Sequence, residues 1–299
     1  MKIITGLSIL ILLIMPIANA DTDTDGQEGG ITAAEFEASL KYQQGEIKLT
    51  GGKATLQVPE GFRYLDPANT QRVLEQAWGN PDGSGTLGML FPADVGPTDE
   101  AGWGVVITYQ DDGHISDEDA DSINYEELLT NMQAETEEAN KERVQAGYEP
   151  ISLVGWAEIP RYDQTTKKMY WAKELKFGDS GEHTLNYNVR VLGRDGVLVL
   201  NAVAGTDQLS TITGSMQDVI AFSNFTAGNR YADFNPATDN VAAYGLAALV
   251  GGTIAAKTGL IAKLVALLVV GKKFIILFVV AIGVFLKKLF GRKKAEQSI

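Results

Sequence analysis

Residues 184–203, TLNYNVRVLGRDGVLVLNAV, decide the fold. Two strand-forming runs, Thr184–Leu192 and Val197–Val203, flank a turn at Gly193-Arg194-Asp195-Gly196, which is the pattern of a β-hairpin. Val197–Leu200 is apolar at consecutive positions, so this strand expects cover on both faces of its sheet. Working outward, Asp207 is placed to cap a helix that carries Leu209, Ile212, Met216, Val219 and Ile220 at helical spacing. Upstream, Lys168–Phe177 alternates Met169, Trp171, Lys173, Leu175 and Phe177 against Tyr170, Ala172, Glu174 and Lys176, and Ile151–Trp156 is another strand. A long helix over 123–146 precedes them, with Tyr125, Leu128, Leu129 and Met132 inward. Trp103–Tyr109 and Thr86–Phe91 are strands joined by a loop holding Pro92 and Pro97. Asp66 and Pro67 start a helix that runs to Trp78 and stops at Gly79. Gly45–Val58 is a hairpin about Gly51-Gly52, and Thr32–Tyr42 is a short helix with Phe36 and Leu40 on one face. The sum is an α+β fold: a mostly antiparallel sheet with helices packed on it.

The ends of the chain differ in kind from this middle. Lys2, the apolar run Ile3–Ile14 and the small-residue site Ala18-Asn19-Ala20 form a secretory signal over residues 1–20. An acidic, glycine-rich leader, 21–31, follows and is expected to be disordered. The exported domain spans 32–225, a polar linker spans 226–240, a membrane anchor spans 241–290, and a basic cytoplasmic tail spans 291–299. Within the anchor, Phe274–Leu286 is the most apolar run and is bordered by Lys272, Lys273, Lys287 and Lys288, which can snorkel to the interface. Val241–Ala256 is rich in Gly and Ala, as suits close helix approach in lipid. Charge divides the chain in the same way. Residues 21–240 hold 37 acids and 15 bases, whereas 241–299 hold 9 bases and 1 acid. The expected location is the bacterial inner membrane, with the domain in the periplasm and the C-terminus cytoplasmic. An exported part this acidic repels nucleic acid.

Motifs that carry chemistry are missing from the sequence. There is no cysteine, and the two histidines, His114 and His183, stand in no metal-ligand spacing. No phosphate-binding glycine loop, dinucleotide fingerprint or nucleophile elbow occurs. Asp117, Asp119 and Asp121 alternate like the first ligands of a calcium loop. However, Ser122 stands where the sharp turn needs Gly, and Leu128 where a bidentate Glu belongs. The simpler expectation is that Ser116 or Asp117 caps the following helix. Lys173, Glu174 and Arg190, with Trp171 and Tyr187, could line a polar groove; the plainer expectation is cross-strand ion pairs on a solvated sheet face. No catalytic, cofactor-binding or metal residue is therefore assigned, and no cofactor is expected.

Several runs closely resemble a known family: Pro59–Leu65 (PEGFRYL), Leu87–Ala93 (LGMLFPA), Trp103–Tyr109 (WGVVITY), Asn140–Gly147 (NKERVQAG), Asn186–Gly193 (NYNVRVLG), Gly196–Asp207 (GVLVLNAVAGTD) and Arg230–Pro236 (RYADFNP). The resemblance is to the bacterial membrane-anchored family called domain of unknown function 2167, over roughly residues 35–290. It implies an exported domain with a C-terminal transmembrane anchor and no established activity, and it offers no catalytic residues. More loosely, the order of elements is similar to the PsbP and Mog1 type of sandwich. The function expected is a non-enzymatic, membrane-tethered periplasmic module that contacts the bilayer through its anchor, binds a protein or envelope component, and through its tail self-associates or pairs with another membrane protein. A carboxylate-dependent envelope hydrolase and a structural subunit of a membrane complex are the alternatives.

Overall fold

Alternation in the sequence becomes an eight-stranded sheet in which every neighbouring pair is antiparallel. The structure is a computed structural model that describes residues 31–80, 82–99, 101–179 and 183–251. In chain order its elements are α1 (Ala33–Ser39), β1 (Tyr42–Gln43), β2 (Gly45–Lys48), β3 (Ala54–Val58), β4 (Phe62–Leu65), α2 (Pro67–Arg72), β5 (Gly88–Pro92), β6 (Gly104–Gln110), β7 (His114–Ser116), α3 (Tyr125–Gln145), β8 (Ile151–Asp163), β9 (Lys168–Phe177), β10 (His183–Leu192), β11 (Val197–Gly205), α4 (Leu209–Phe222), β12 (Ser223–Phe225), β13 (Val241–Gly245) and α5 (Leu246–Gly251). The main sheet has the order β1-β4-β5-β6-β11-β10-β9-β8, beside a three-stranded sheet β12-β3-β2 and a parallel pair β13-β7.

Side chains on one face of the main sheet, among them Tyr187, Val189, Leu198 and Leu200, pack with α4 and the small sheet through Ile212, Met216, Val219 and Leu56. The other face carries two separate apolar clusters. One joins α3 and α5 to Trp171, Leu175, Leu192, Val197 and Val199. The other joins α1 and α2 to Met89, Phe91, Val106 and Val203. Each fully buried Leu or Met in these clusters contributes about 1.5–3 kcal/mol, which compensates helices whose own propensity is modest.

Caps and turns follow local chemistry. Thr32 and Glu35 form a reciprocal capping box, and Asp66 caps α2 with Pro67 in its first turn. That helix continues through a π-helical turn, Val73–Ala77, and Gly79 at φ 63° ends it. The β2–β3 connection is a four-residue turn over 50–53, closed by Leu49 N–H donating to the Ala54 carbonyl at 3.1 Å. It is wider than the two-residue turn its sequence suggests, because both Gly51 and Gly52 take positive φ inside it.

Five further expectations change. Neither Ser116 nor Asp117 caps the long helix; Asn124 does, its Oδ1 accepting from Glu126 and Glu127 N–H. Asp207 does not cap α4 either. That helix is entered by a 3₁₀ turn over Thr206–Gln208, with Gly205 N–H donating to Gln208 Oε1 at 2.9 Å. Strand β8 runs on to Asp163, well past Trp156, by absorbing register shifts against β9. The polar stretch 226–240, read as a linker, packs on the domain: Arg194 forms a forked pair with Asp239 at 2.7 and 2.8 Å, and Tyr231 OH donates to the Ile115 carbonyl at 3.0 Å.

The fifth change concerns the start of the anchor. Val241–Gly245 pairs with β7, and Leu246, Leu249 and Val250 are buried against the sheet, so residues 241–251 belong to the folded domain. Apolar side chains satisfy burial on a sheet as well as in lipid, and hydropathy does not separate the two. Among the described residues no helix is long and apolar enough to cross a membrane. The signal, the leader apart from Ile31, the rest of the anchor and the basic tail lie outside the described residues.

Candidate functional site

The gap between the two apolar clusters on the second face is polar. It is built on three central strands whose register sets side chains in rows. Trp171 of β9 stands opposite Asn188 of β10, which stands opposite Asn201 of β11. One row to one side, Lys173 faces Asn186; one row to the other, Met169, Arg190 and Val199 line up. Period-two alternation puts all of these on one face and sends Glu174 and Tyr187 to the other. The expected cross-strand ion pairs therefore do not form, since Lys173 and Glu174 are sequence neighbours on opposite faces. Nor is this face solvated at Lys173, which is 5 % exposed.

Burial without pairing is the distinctive property of this cleft. Among the described residues, no carboxylate lies within ion-pair distance of Lys173 or Arg190. Burial, and secondarily the like charge of Arg190, pushes the Lys173 ammonium down to about 8. Arg190 is half-buried as a residue, yet its guanidinium lies deep enough that burial pushes it down to about 10, with Tyr244 of β13 the nearby group favouring its charge. The guanidinium sits 4.9 Å from the Trp171 ring centroid and donates through one Nη to the Val189 carbonyl at 3.2 Å. Its Nε, the Trp171 Nε1 and the Asn201 Oδ1 are buried with no hydrogen-bond partner. Asn188 Nδ2 donates to the Asn186 carbonyl at 3.0 Å and to Asn186 Oδ1 at 2.7 Å, which fixes both amides. Each unpaired buried polar atom costs about 1–3 kcal/mol, so the cleft is a concentration of unfavourable terms inside a well-packed domain. Thr108, Arg190 and Asn201 are only half-buried, so the polar patch reaches solvent along them.

The acidic loop does something else. Asp117 accepts from Lys167 Nζ at 2.7 Å, Tyr162 OH at 2.8 Å and Tyr231 OH at 3.1 Å. Burial alone would raise its carboxyl, but these bonds outweigh it and hold the group below the usual range. Asp119 accepts from Leu246 N–H at 3.0 Å and Ala247 N–H at 3.3 Å, which caps α5. The two carboxylates thus face different elements, and no group of three metal-capable side chains occurs among the described residues. His114 is stacked 3.8 Å from Phe234 and 4.3 Å from Tyr231, and burial lowers its pKa. His183 is paired with Glu174. Elsewhere, Asp163, Asp195 and Asp239 are held below the ordinary carboxylate value by hydrogen bonds that their ionised forms accept, for Asp195 against an opposing burial effect. These groups stay ionised at neutral pH and have no proton to donate.

Of the residues the sequence singled out, Lys173, Arg190 and Trp171 come together in the cleft. Asn186, Asn188 and Asn201 were not singled out. Their signal was three asparagines at inward positions of strands that are otherwise apolar.

The family described as protein of unknown function (DUF2167) matches residues 41–283. No protein of curated function matches. Among solved structures, the chain is similar to cyanobacterial PsbP from Synechocystis sp. PCC 6803, at 13% identity and TM-score 0.33, covering 67% of this chain and 98% of that one. It is also similar to the Saccharomyces cerevisiae Ran-binding protein Mog1p, at 13% identity and TM-score 0.35, covering 66% and 100%. A third is LpqN of Mycobacterium tuberculosis, described as involved in cell envelope biogenesis, at 14% identity and TM-score 0.30, covering 66% and 98%.

Proposed function

This chain belongs to the DUF2167 family, and we propose that it is a membrane-tethered binding module of the bacterial cell envelope, not an enzyme, with its ligand held in the cleft between the two helix pairs. The observation that carries this reading is the pair Lys173 and Arg190. Two buried cations and three unpaired polar atoms on one sheet face lower stability, and groups of that kind persist where a bound partner satisfies them. The tether rests on the lysine-bordered apolar run Phe274–Leu286 and on the contrast between an acidic body and a basic tail.

Copurification from detergent-solubilised membranes tests this, comparing the full-length chain with a Lys173→Met/Arg190→Met double variant. The expected result is a component that accompanies the wild type and is lost from the variant, while both remain in the membrane fraction. The reading fails if the same components accompany both proteins, if the wild type carries none, or if salt washing releases the wild type from membranes.

A further inference from the structure

We infer that the cleft recognises a phosphate-type oxyanion that carries a hydroxyl hydrogen, with Lys173 and Arg190 supplying the positive charge and Asn201 accepting from that hydroxyl. The inference rests on the binding reading of the same cleft and adds the chemistry of the ligand.

Charge scarcity is the first reason. The chain holds 38 acidic against 25 basic residues, and its net charge is −13. In so acidic a chain even a partly buried cation finds carboxylates to pair with, as Lys53 does with Asp111 and Asp195 and Arg194 with Asp239. Lys173 and Arg190 have none among the described residues, although they lie on neighbouring central strands of the sheet. A site that keeps its cations free of internal carboxylates keeps them for an external anion. The surrounding negative charge does not defeat this. It acts through solvent and is screened within roughly 10 Å, whereas the two cations act at short range in a low-dielectric cleft.

Placement is the second reason. The Lys173 and Arg190 rows flank the Trp171–Asn188–Asn201 row, and the outer rows are separated by roughly 13 Å of strand. Arg190 extends over the central row, with its guanidinium 4.9 Å from the Trp171 ring centroid, and Lys173 stands on the far side of that row. Between them, Trp171 Nε1–H and Arg190 Nε–H are donors without acceptors, and Asn201 Oδ1 is an acceptor without a donor. Donors and positive charge alone suit any anion, sulfate included. An unpaired acceptor in the same row suits an anion that also donates, which hydrogen phosphate does and sulfate at neutral pH does not. Both free phosphate and the phosphate of a glycerol-bearing lipid headgroup offer this combination.

The test is titration calorimetry on the full-length protein in detergent micelles at constant ionic strength, with inorganic phosphate, glycerol phosphate and sulfate as probes. Saturable phosphate binding is expected, with sulfate weaker by about tenfold or more and each of Lys173→Met and Arg190→Met weakening phosphate by about tenfold. Asn201→Leu should remove the preference for phosphate over sulfate. Binding to phosphatidylcholine vesicles with and without phosphatidylglycerol separates the sources. Phosphatidylglycerol-dependent binding that free phosphate competes away identifies the headgroup; phosphate binding with no vesicle dependence identifies the free anion. Absence of saturable binding by every probe overturns the inference, as does equal affinity in wild type and variants. If the double variant loses its copurifying component while phosphate binds neither protein, the binding-module reading stands and the oxyanion does not.

Discussion

Lys173→Met should make the protein more stable. The lysine is 5 % exposed, and its ammonium is held near 8 against an ordinary value of 10.5. At 1.36 kcal/mol per pH unit, that gap corresponds to about 3 kcal/mol of unfavourable free energy at neutral pH. Methionine has similar length, no charge and a flexible thioether that fills irregular space. The expected gain is therefore about 1–3 kcal/mol, or roughly 3–10 °C in melting temperature for a domain of this size. The pH dependence supplies an internal control. A lysine whose folded pKa lies below its unfolded one destabilises fully below about 8, and the effect disappears as pH rises toward 10.5, because only the unfolded chain still binds the proton there. The stability difference between variant and wild type should thus be largest at neutral pH, shrink above about 8 and be nearly gone at 10.5. Denaturant titration of both full-length proteins across this range is the assay. A variant less stable than wild type at neutral pH would refute the reasoning, and so would a difference that stays constant across the range.

Three further outcomes follow from individual contacts. Asp119→Ala removes the acceptor for two α5 N–H groups and should cost about 1–2 kcal/mol, with hydrogen exchange accelerated at Leu246 and Ala247 ahead of the rest of the domain. Asp117→Asn weakens its contacts with Lys167, Tyr162 and Tyr231 and should cost about 1 kcal/mol near neutral pH. Because that carboxyl is held below its ordinary 3.8, its contribution is present above that value and lost as pH falls through the folded pKa, so the variant's acid-unfolding curve should be shallower. Gly88→Ala places a Cβ 2.2 Å from the Tyr64 ring at a φ of +129°. It should destabilise by about 3 kcal/mol or more, measured by melting temperature, whereas alanine at Gly155, with open space around it, should leave stability within about 1 kcal/mol.

The antiparallel sheet was legible because its signal is local. The hairpin of β10 and β11 turns at Gly193–Gly196 in the expected register, with Leu192 opposite Val197. Period-two alternation also placed Trp171 and Lys173 on a common face. What alternation leaves open is what covers that face, and this is why Lys173 read as solvated. That face is roofed at one end by α3 and α5, whose packing on it is not local in sequence. The same non-local packing hid the docking of 241–251, whose apolar residues suit lipid and sheet alike. Strand β7 was missed because it is only three residues long and finds its partner, β13, more than a hundred residues away. The asparagines of the cleft were visible as letters but not as a row, since only the β9–β10–β11 register brings Asn188 and Asn201 beside Trp171.

One resonance tests the central claim most directly: the Trp171 indole N–H, assigned by its disappearance in Trp171→Phe. The Trp78 and Trp156 indoles already donate to the Pro97 and Tyr125 carbonyls, at 2.9 and 3.2 Å, whereas Trp171 Nε1 has no partner. Adding inorganic phosphate to the ¹⁵N-labelled full-length protein should shift the Trp171 signal saturably and leave those of Trp78 and Trp156 in place. A Trp171 signal that does not move, or that moves in step with the other indoles, would contradict ligand binding in the cleft.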